Sequence, residues 1–180
     1  MHRYTAGRIA KIALLTALAL ILSWLEASFP ISATVPGIKI GLANIVLLYG
    51  VYMLKASDAC LLMALRIGLA ALLFGNMSMA LYSLAGGVLS LAGMYIGRRV
   101  GLHVQAVSVM GAECHNIAQM VVAALVLRSP QIFYTLGPAL LLVALFAGSL
   151  NGIIAKRILR VMHYHDQKPA ETEEESPPEP

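Results

Sequence analysis

Val35-Pro36-Gly37-Ile38-Lys39-Ile40-Gly41-Leu42-Ala43-Asn44-Ile45-Val46-Leu47-Leu48-Tyr49 sets a lysine and an asparagine at the mouth of an otherwise apolar stretch. Pro36 and Gly37 break whatever precedes them, so the sequence predicts a helix from about Ile38. Its free N–H groups and positive dipole end then lie beside Lys39, a place that welcomes an anion. Two readings of Lys39 stand. In a chain where charges are scarce it is kept for a ligand, or its ammonium snorkels from a helix end to a lipid headgroup.

Outward from this stretch, comparable apolar runs recur along all of the first 160 residues. The 180-residue chain is 59% hydrophobic and 12% charged, with a mean hydropathy of +0.78. Such values exclude an ordinary soluble domain. A bilayer core takes about 20 apolar residues per helix, and six segments fit: Ile9 to Ala27, Ile38 to Leu54, Ala56 to Phe74, Met79 to Ile96, Val104 to Leu127, and Ile132 to Ile154. The boundary near Lys55 to Asp58 is the hardest to place. The first run is too long for a signal-peptide core and lacks a small-x-small cleavage site, so it reads as an uncleaved span. Because backbone groups in lipid must be satisfied within each segment, the expected fold is an all-α integral membrane protein, a six-transmembrane-helix bundle.

Charge placement orients the bundle. Arg3, Arg8 and Lys11 precede the first span, Lys55 separates the second from the third, Arg98 and Arg99 follow the fourth, and Lys156, Arg157 and Arg160 follow the sixth. All fall on one side, which the positive-inside rule makes the cytoplasm. The chain is therefore expected in the inner (cytoplasmic) membrane with both termini cytoplasmic. Twelve of the thirteen Lys and Arg, but three of the nine acids, lie in residues 1–165, a net +9 for the body. No basic patch is interleaved with exposed aromatics, so nucleic acid is not an expected partner. From Asp166 the chain turns to Pro and Glu with no apolar residue larger than alanine, the composition of a disordered cytoplasmic tail. Cys60 and Cys114 read as packing residues.

Small residues mark close approaches. Ala6, Ala10, Ala13 and Ala17 recur along the first span, Gly93, Gly97 and Gly101 end the fourth, and Ala144, Gly148 and Gly152 line the sixth. For the fourth and sixth, packing inside the bundle is the preferred reading. For the first, a docking face for a partner subunit is the alternative.

An ionisable side chain inside a span costs about 2.5 to 3.5 kcal/mol on insertion scales, so each calls for a cavity or a partner. Glu26 closes the first span, Lys39 and Asn44 open the second, and Arg66 lies within the third. The fifth carries Glu113, His115, Asn116 and Gln119. His115, Asn116 and Gln119 share one helix face by their spacing. Singly, each has a structural reading: Glu26 neutralises Arg66 or Lys39, and His115 bonds between helices. Together, polar groups from four helices suit a small polar or anionic ligand. Enzyme signatures are missing. A prenyl diphosphate synthase needs clustered aspartates to hold magnesium, and Asp58 and Asp166 are the only two. There is no ATP-binding glycine loop, nucleophile elbow or zinc set, so no cofactor, metal site or catalytic residue is expected.

Four motifs occur in order. They are Pro36-Gly37-Ile38-Lys39-Ile40-Gly41-Leu42-Ala43-Asn44-Ile45-Val46, Leu65-Arg66-Ile67, Leu81-Tyr82-Ser83-Leu84-Ala85-Gly86-Gly87, and Gly111-Ala112 with His115-Asn116-Ile117 and Gln119. On these the chain, over about residues 9–160, resembles the Gx transporter family, whose members are often labelled heptaprenyl diphosphate synthase component I. That family is similar in design to the substrate-binding S components of energy-coupling factor (ECF) vitamin importers. The resemblance implies a six-helix subunit that captures a small, anionic, vitamin-like or isoprenoid- or quinone-related molecule from outside and delivers it with a scaffold protein and ATPases. It implies Lys39, Asn44, Arg66, His115, Asn116 and Gln119 as pocket residues with Glu26 as partner of a cation, and Ala10, Ala13 and Ala17 as the docking face. Glu113 departs from the apolar residue usual there and is left out. The alternative is an auxiliary membrane subunit of isoprenoid or quinone biosynthesis, and the residues lend the synthase label no chemistry.

Overall fold

The computed structural model describes residues 5–28, 41–74 and 77–167, in which every regular element is an α-helix. α1 spans Ala6–Ser28, α2 Leu42–Met53, α3 Ala56–Phe74, α4 Met77–Arg99, α5 Val104–Val126, α6 the single turn Ile132–Thr135, and α7 Gly137–Gln167. Five of them, α1, α3, α4, α5 and α7, are long and apolar enough to cross a membrane. Large apolar side chains such as Leu14, Leu72, Leu125 and Phe146 face outward along these helices. Water does not tolerate so broad an apolar surface, whereas lipid does, and the chain is a multi-pass membrane protein.

Four of the expected spans match their helices to within three residues at each end. The other two differ. Ile38 to Ile40 lie outside the described residues, and α2 starts only at Leu42, because Gly41 takes the left-handed φ of 74° that a side chain would resist. The 12 residues of α2 rise about 18 Å against the roughly 30 Å of a hydrocarbon core. The stretch expected as the sixth span divides into α6 and α7. α7 continues to Gln167, two residues into the predicted tail, and residues 168–180 lie outside the described set.

The short helix is the centre of the bundle. A helix apolar on every side belongs in a core, and α2 buries Ala43, Ile45 to Gly50 and Val51. It touches all five long helices, whereas α1 touches only α2 and α3, and α1 and α7 make no contact among the described residues. Ile45, Leu48 and Val51 pack on Met63 and Ile67 of α3, Leu91 and Met94 of α4, Val107 of α5 and Ala155 of α7. Ala43 and Val46 pack instead with Ala19 of α1 and Leu62 of α3.

Glycines draw α4, α5 and α7 together. A Cβ on Gly148 would stand 2.8 Å from Val109 Cα, and one on Gly152 2.7 Å from Gln105 Cα, so the α5 and α7 backbones are in direct contact. Gly93 similarly receives Cys114 Sγ, and Gly97 receives Met110. The packing reading of these glycines is thereby met, except for Gly101, which turns the chain after α4 with φ 82° and nothing nearby.

Three of the predicted cations, Arg8, Lys11 and Arg98, tie helices together at the end of the bundle where α2 finishes. Arg8 donates to Asp58 through Nε at 2.7 Å and Nη2 at 2.5 Å, joining α1 to α3. Arg98 donates to the Val51 carbonyl and lies 5.0 Å from the Tyr52 ring, while Lys11 lies 5.9 Å from the Tyr49 ring.

Candidate functional site

At the far end of α2 from the cations, its N-terminus meets a small cavity of about 40 Å³. Glu26, Gly41, Asn44, Arg66, Ala112, His115, Asn116, Gln119, Ala144, Ala147 and Asn151 line it. Six of the seven predicted pocket residues thus converge from α1, α2, α3 and α5. The seventh, Lys39, lies outside the described residues. Glu113 is not among the lining residues.

Each side chain arrives for a local reason. Glu26 sits in the last turn of α1 and is buried. Its Oε1 accepts the Gly41 N–H at 2.5 Å. The anion that the opening stretch invites to the start of α2 is therefore supplied by the chain itself, at the residue just before the helix rather than near Ile38. The Gly41 carbonyl is doubly held, by the Asn44 N–H at 2.8 Å and by Asn151 Nδ2 at 3.1 Å. Arg66 lies eight residues into the bundle from Asp58, about 12 Å at 1.5 Å per residue. It donates through Nη1 to Asn44 Oδ1 at 3.2 Å and shares the cavity with the Glu26 carboxylate.

α5 supplies the opposite wall. Ala112, His115, Asn116 and Gln119 form the single helix face that their spacing predicts, and Asn116 Nδ2 donates to the Leu140 carbonyl of α7 at 2.9 Å. The His115 ring is set against α4 at Gly86, where a Cβ would stand 2.7 Å from Cε1 and 2.8 Å from Nδ1. Gly86 is thus part of the site although it does not line the cavity.

Asn151 was missed by reasoning that read α7 only for its small residues. It is an amide on an apolar helix, the same signal that singled out Asn44 and Asn116, and it is 3% exposed. A second opening, a groove of about 500 Å³ over His103, Gln105, Ala106, Val109, Met110 and Ser149, contains none of the predicted residues and lies open on the outside of α5 and α7. The candidate residues gather at the cavity and not at the groove. It offers one cation, one carboxylate and five amide or imidazole side chains in an apolar surround, a set made for hydrogen-bonding a small polar group. Among the described residues no group of His, Cys, Asp and Glu could hold a metal ion. The predicted docking residues Ala10, Ala13 and Ala17 are all exposed on the side of α1 away from the bundle.

The family described as heptaprenyl diphosphate synthase component I matches residues 15–158, and the chain belongs to that family. No curated protein and no solved structure matches the chain.

Proposed function

We propose that this member of the heptaprenyl diphosphate synthase component I family is a membrane subunit that binds a small polar molecule inside its helix bundle and passes it across the membrane, in the manner of an ECF S component. One observation carries the reading: Glu26, Asn44, Arg66, His115, Asn116 and Gln119, chosen as polar residues in apolar spans, line a single cavity. Six unrelated structural needs would scatter them. On this reading α2 belongs to a sixth crossing, the cation-rich end is cytoplasmic, and the cavity opens toward the outside. The chain itself is no enzyme. It works with a scaffold and ATPases that dock on the outward alanines of α1. The cavity of about 40 Å³ is well below the 300 to 1,000 Å³ of sites filled by drug-sized ligands, so it takes one polar group of such a molecule and not the whole of it.

The family's description favours a second reading, an auxiliary subunit that partners another component of a prenyl diphosphate synthase. Native mass spectrometry of gently purified protein separates the two, with Lys39→Ala and Arg66→Ala alongside. A retained vitamin-sized molecule that is lost in both variants is the expected result. A wild type that carries no small molecule but brings down a soluble prenyltransferase would replace the binding reading with the auxiliary one.

A further inference from the structure

The cavity contains its own ligand analogue. A carboxylate, that of Glu26, already occupies the Gly41 N–H at the start of α2 and shares the cavity with the Arg66 guanidinium. Around it, hydrogen-bonding capacity is left over. Arg66 carries five N–H donors, of which one is used, toward Asn44, among the described residues. The Gln119 amide lines the same cavity and makes no hydrogen bond among the described residues. A guanidinium inside a bundle with most of its donors unspent is matched best by a planar two-oxygen acceptor, because its fork engages a carboxylate bidentately.

Space agrees with this chemistry. One water needs roughly 10 to 15 Å³ of such volume, so a cavity of about 40 Å³ admits about three waters, or one carboxylate group. It does not admit a second carboxylate beside Glu26 without placing two like charges together in a low dielectric.

We infer that Glu26 is a built-in competitor: the ligand carries a carboxylate that takes over the Gly41 N–H and Arg66, and its arrival expels Glu26 from the end of α2. This rests on the binding-subunit reading and specifies the substrate class as a monocarboxylate whose remaining atoms lie outside the cavity. It also gives ligand arrival a mechanical output. α1 is held by the Arg8–Asp58 pair at one end and by Glu26 at the other, and among the described residues it touches only α2 and α3 between. Releasing Glu26 frees the end of the helix whose outward face carries Ala10, Ala13 and Ala17.

The chain's single tryptophan, Trp24, stands two residues before Glu26 and reports the release directly. The full-length protein in detergent is titrated with sodium acetate at constant ionic strength, with sodium phosphate in parallel, and Trp24 emission is followed. Glu26→Gln keeps the shape and removes the charge; Glu26→Asp draws the carboxylate back by one methylene and keeps it. Both variants should bind acetate at least tenfold more tightly than wild type, and Arg66→Gln should abolish binding in either background. Weaker or unchanged acetate binding in the Glu26 variants would make Glu26 a ligand contact or a bystander and overturn the inference. Phosphate binding as well as acetate, or absence of saturation in every variant, would overturn the carboxylate assignment. Each of these failures leaves the binding-subunit reading to the mass measurement, which does not depend on acetate.

Discussion

Gly86→Ala tests whether the α4 surface positions His115. The added Cβ would stand 2.7 Å from Cε1, 2.8 Å from Nδ1 and 3.0 Å from Nε2 of the ring. Carbon atoms attract best at about 3.5 to 4.0 Å, so the ring has to retreat by about 1 Å. Two responses compete. Had the ring been walled in, overpacking would cost about 1 to 3 kcal/mol. His115 lines the cavity, however, so it can withdraw into it, and the stability loss should fall near the lower end, about 1 kcal/mol. The site bears the larger effect, because an imidazole moved 1 Å inward takes up space that a ligand needs in a cavity of about 40 Å³. Ligand affinity should fall by tenfold or more, equivalent to about 1.4 kcal/mol. Thermal unfolding in detergent and binding of the co-purified ligand are measured for wild type, Gly86→Ala, His115→Ala and the double variant. The stability cost of Gly86→Ala should vanish once the ring is gone, which appears as a coupling energy of about the same size. If Gly86→Ala costs as much with His115 absent as present, the ring is not what the Cβ meets and the reasoning fails.

Gly152→Ala should be more damaging to stability, because its Cβ meets backbone, Gln105 Cα at 2.7 Å, and the helices themselves must part; a loss at the upper end of about 1 to 3 kcal/mol is expected, and an unchanged melting temperature would show slack between α5 and α7. Asn151→Leu removes the 3.1 Å bond to the Gly41 carbonyl, which keeps the Asn44 N–H, so about 1 kcal/mol of stability should go, together with retention of ligand in native mass spectrometry. Ala13→Leu adds bulk to the outward face of α1; stability should change by no more than about 0.5 kcal/mol, while binding of scaffold subunits is lost, and a variant that still assembles would remove the docking role from this face.

Helix existence was legible because lipid demands long apolar runs, and Ala56–Phe74 agrees with its predicted span at both ends. The start of α2 was less legible for a specific reason. Pro36 and Gly37, which look like the breaker, lie outside the described residues, whereas Gly41 takes a left-handed conformation directly before α2, and sequence does not rank two glycines four apart. The α5 face was legible since three- and four-residue spacing alone places His115, Asn116 and Gln119 together. That Arg66 meets Asn44 is a contact between helices, which no spacing within a helix encodes. Asn151 was hidden by its neighbours: Gly148 and Gly152 gave α7 a sufficient packing explanation, and the amide between them went unread.

The central helix explains why structural and ligand-binding readings of the polar residues are not rivals. A helix that rises about 18 Å falls short of a hydrocarbon layer of about 30 Å, and inside such a layer unmet backbone groups are costly. At the start of α2 the Gly41 N–H is met by Glu26, its carbonyl by Asn151 and Asn44, and Asn44 in turn by Arg66. Satisfying that terminus is therefore the first task of the set, and it is discharged by the same groups that can hold a ligand. A ligand carboxylate that replaced Glu26 would keep the Gly41 N–H satisfied, so occupancy can change without the helix end ever being left bare. Substitutions at Asn44, Arg66 or Asn151 should accordingly lower stability and binding together, whereas Gln119, which makes no hydrogen bond among the described residues, should separate them: Gln119→Leu should weaken ligand retention and leave unfolding in detergent unchanged.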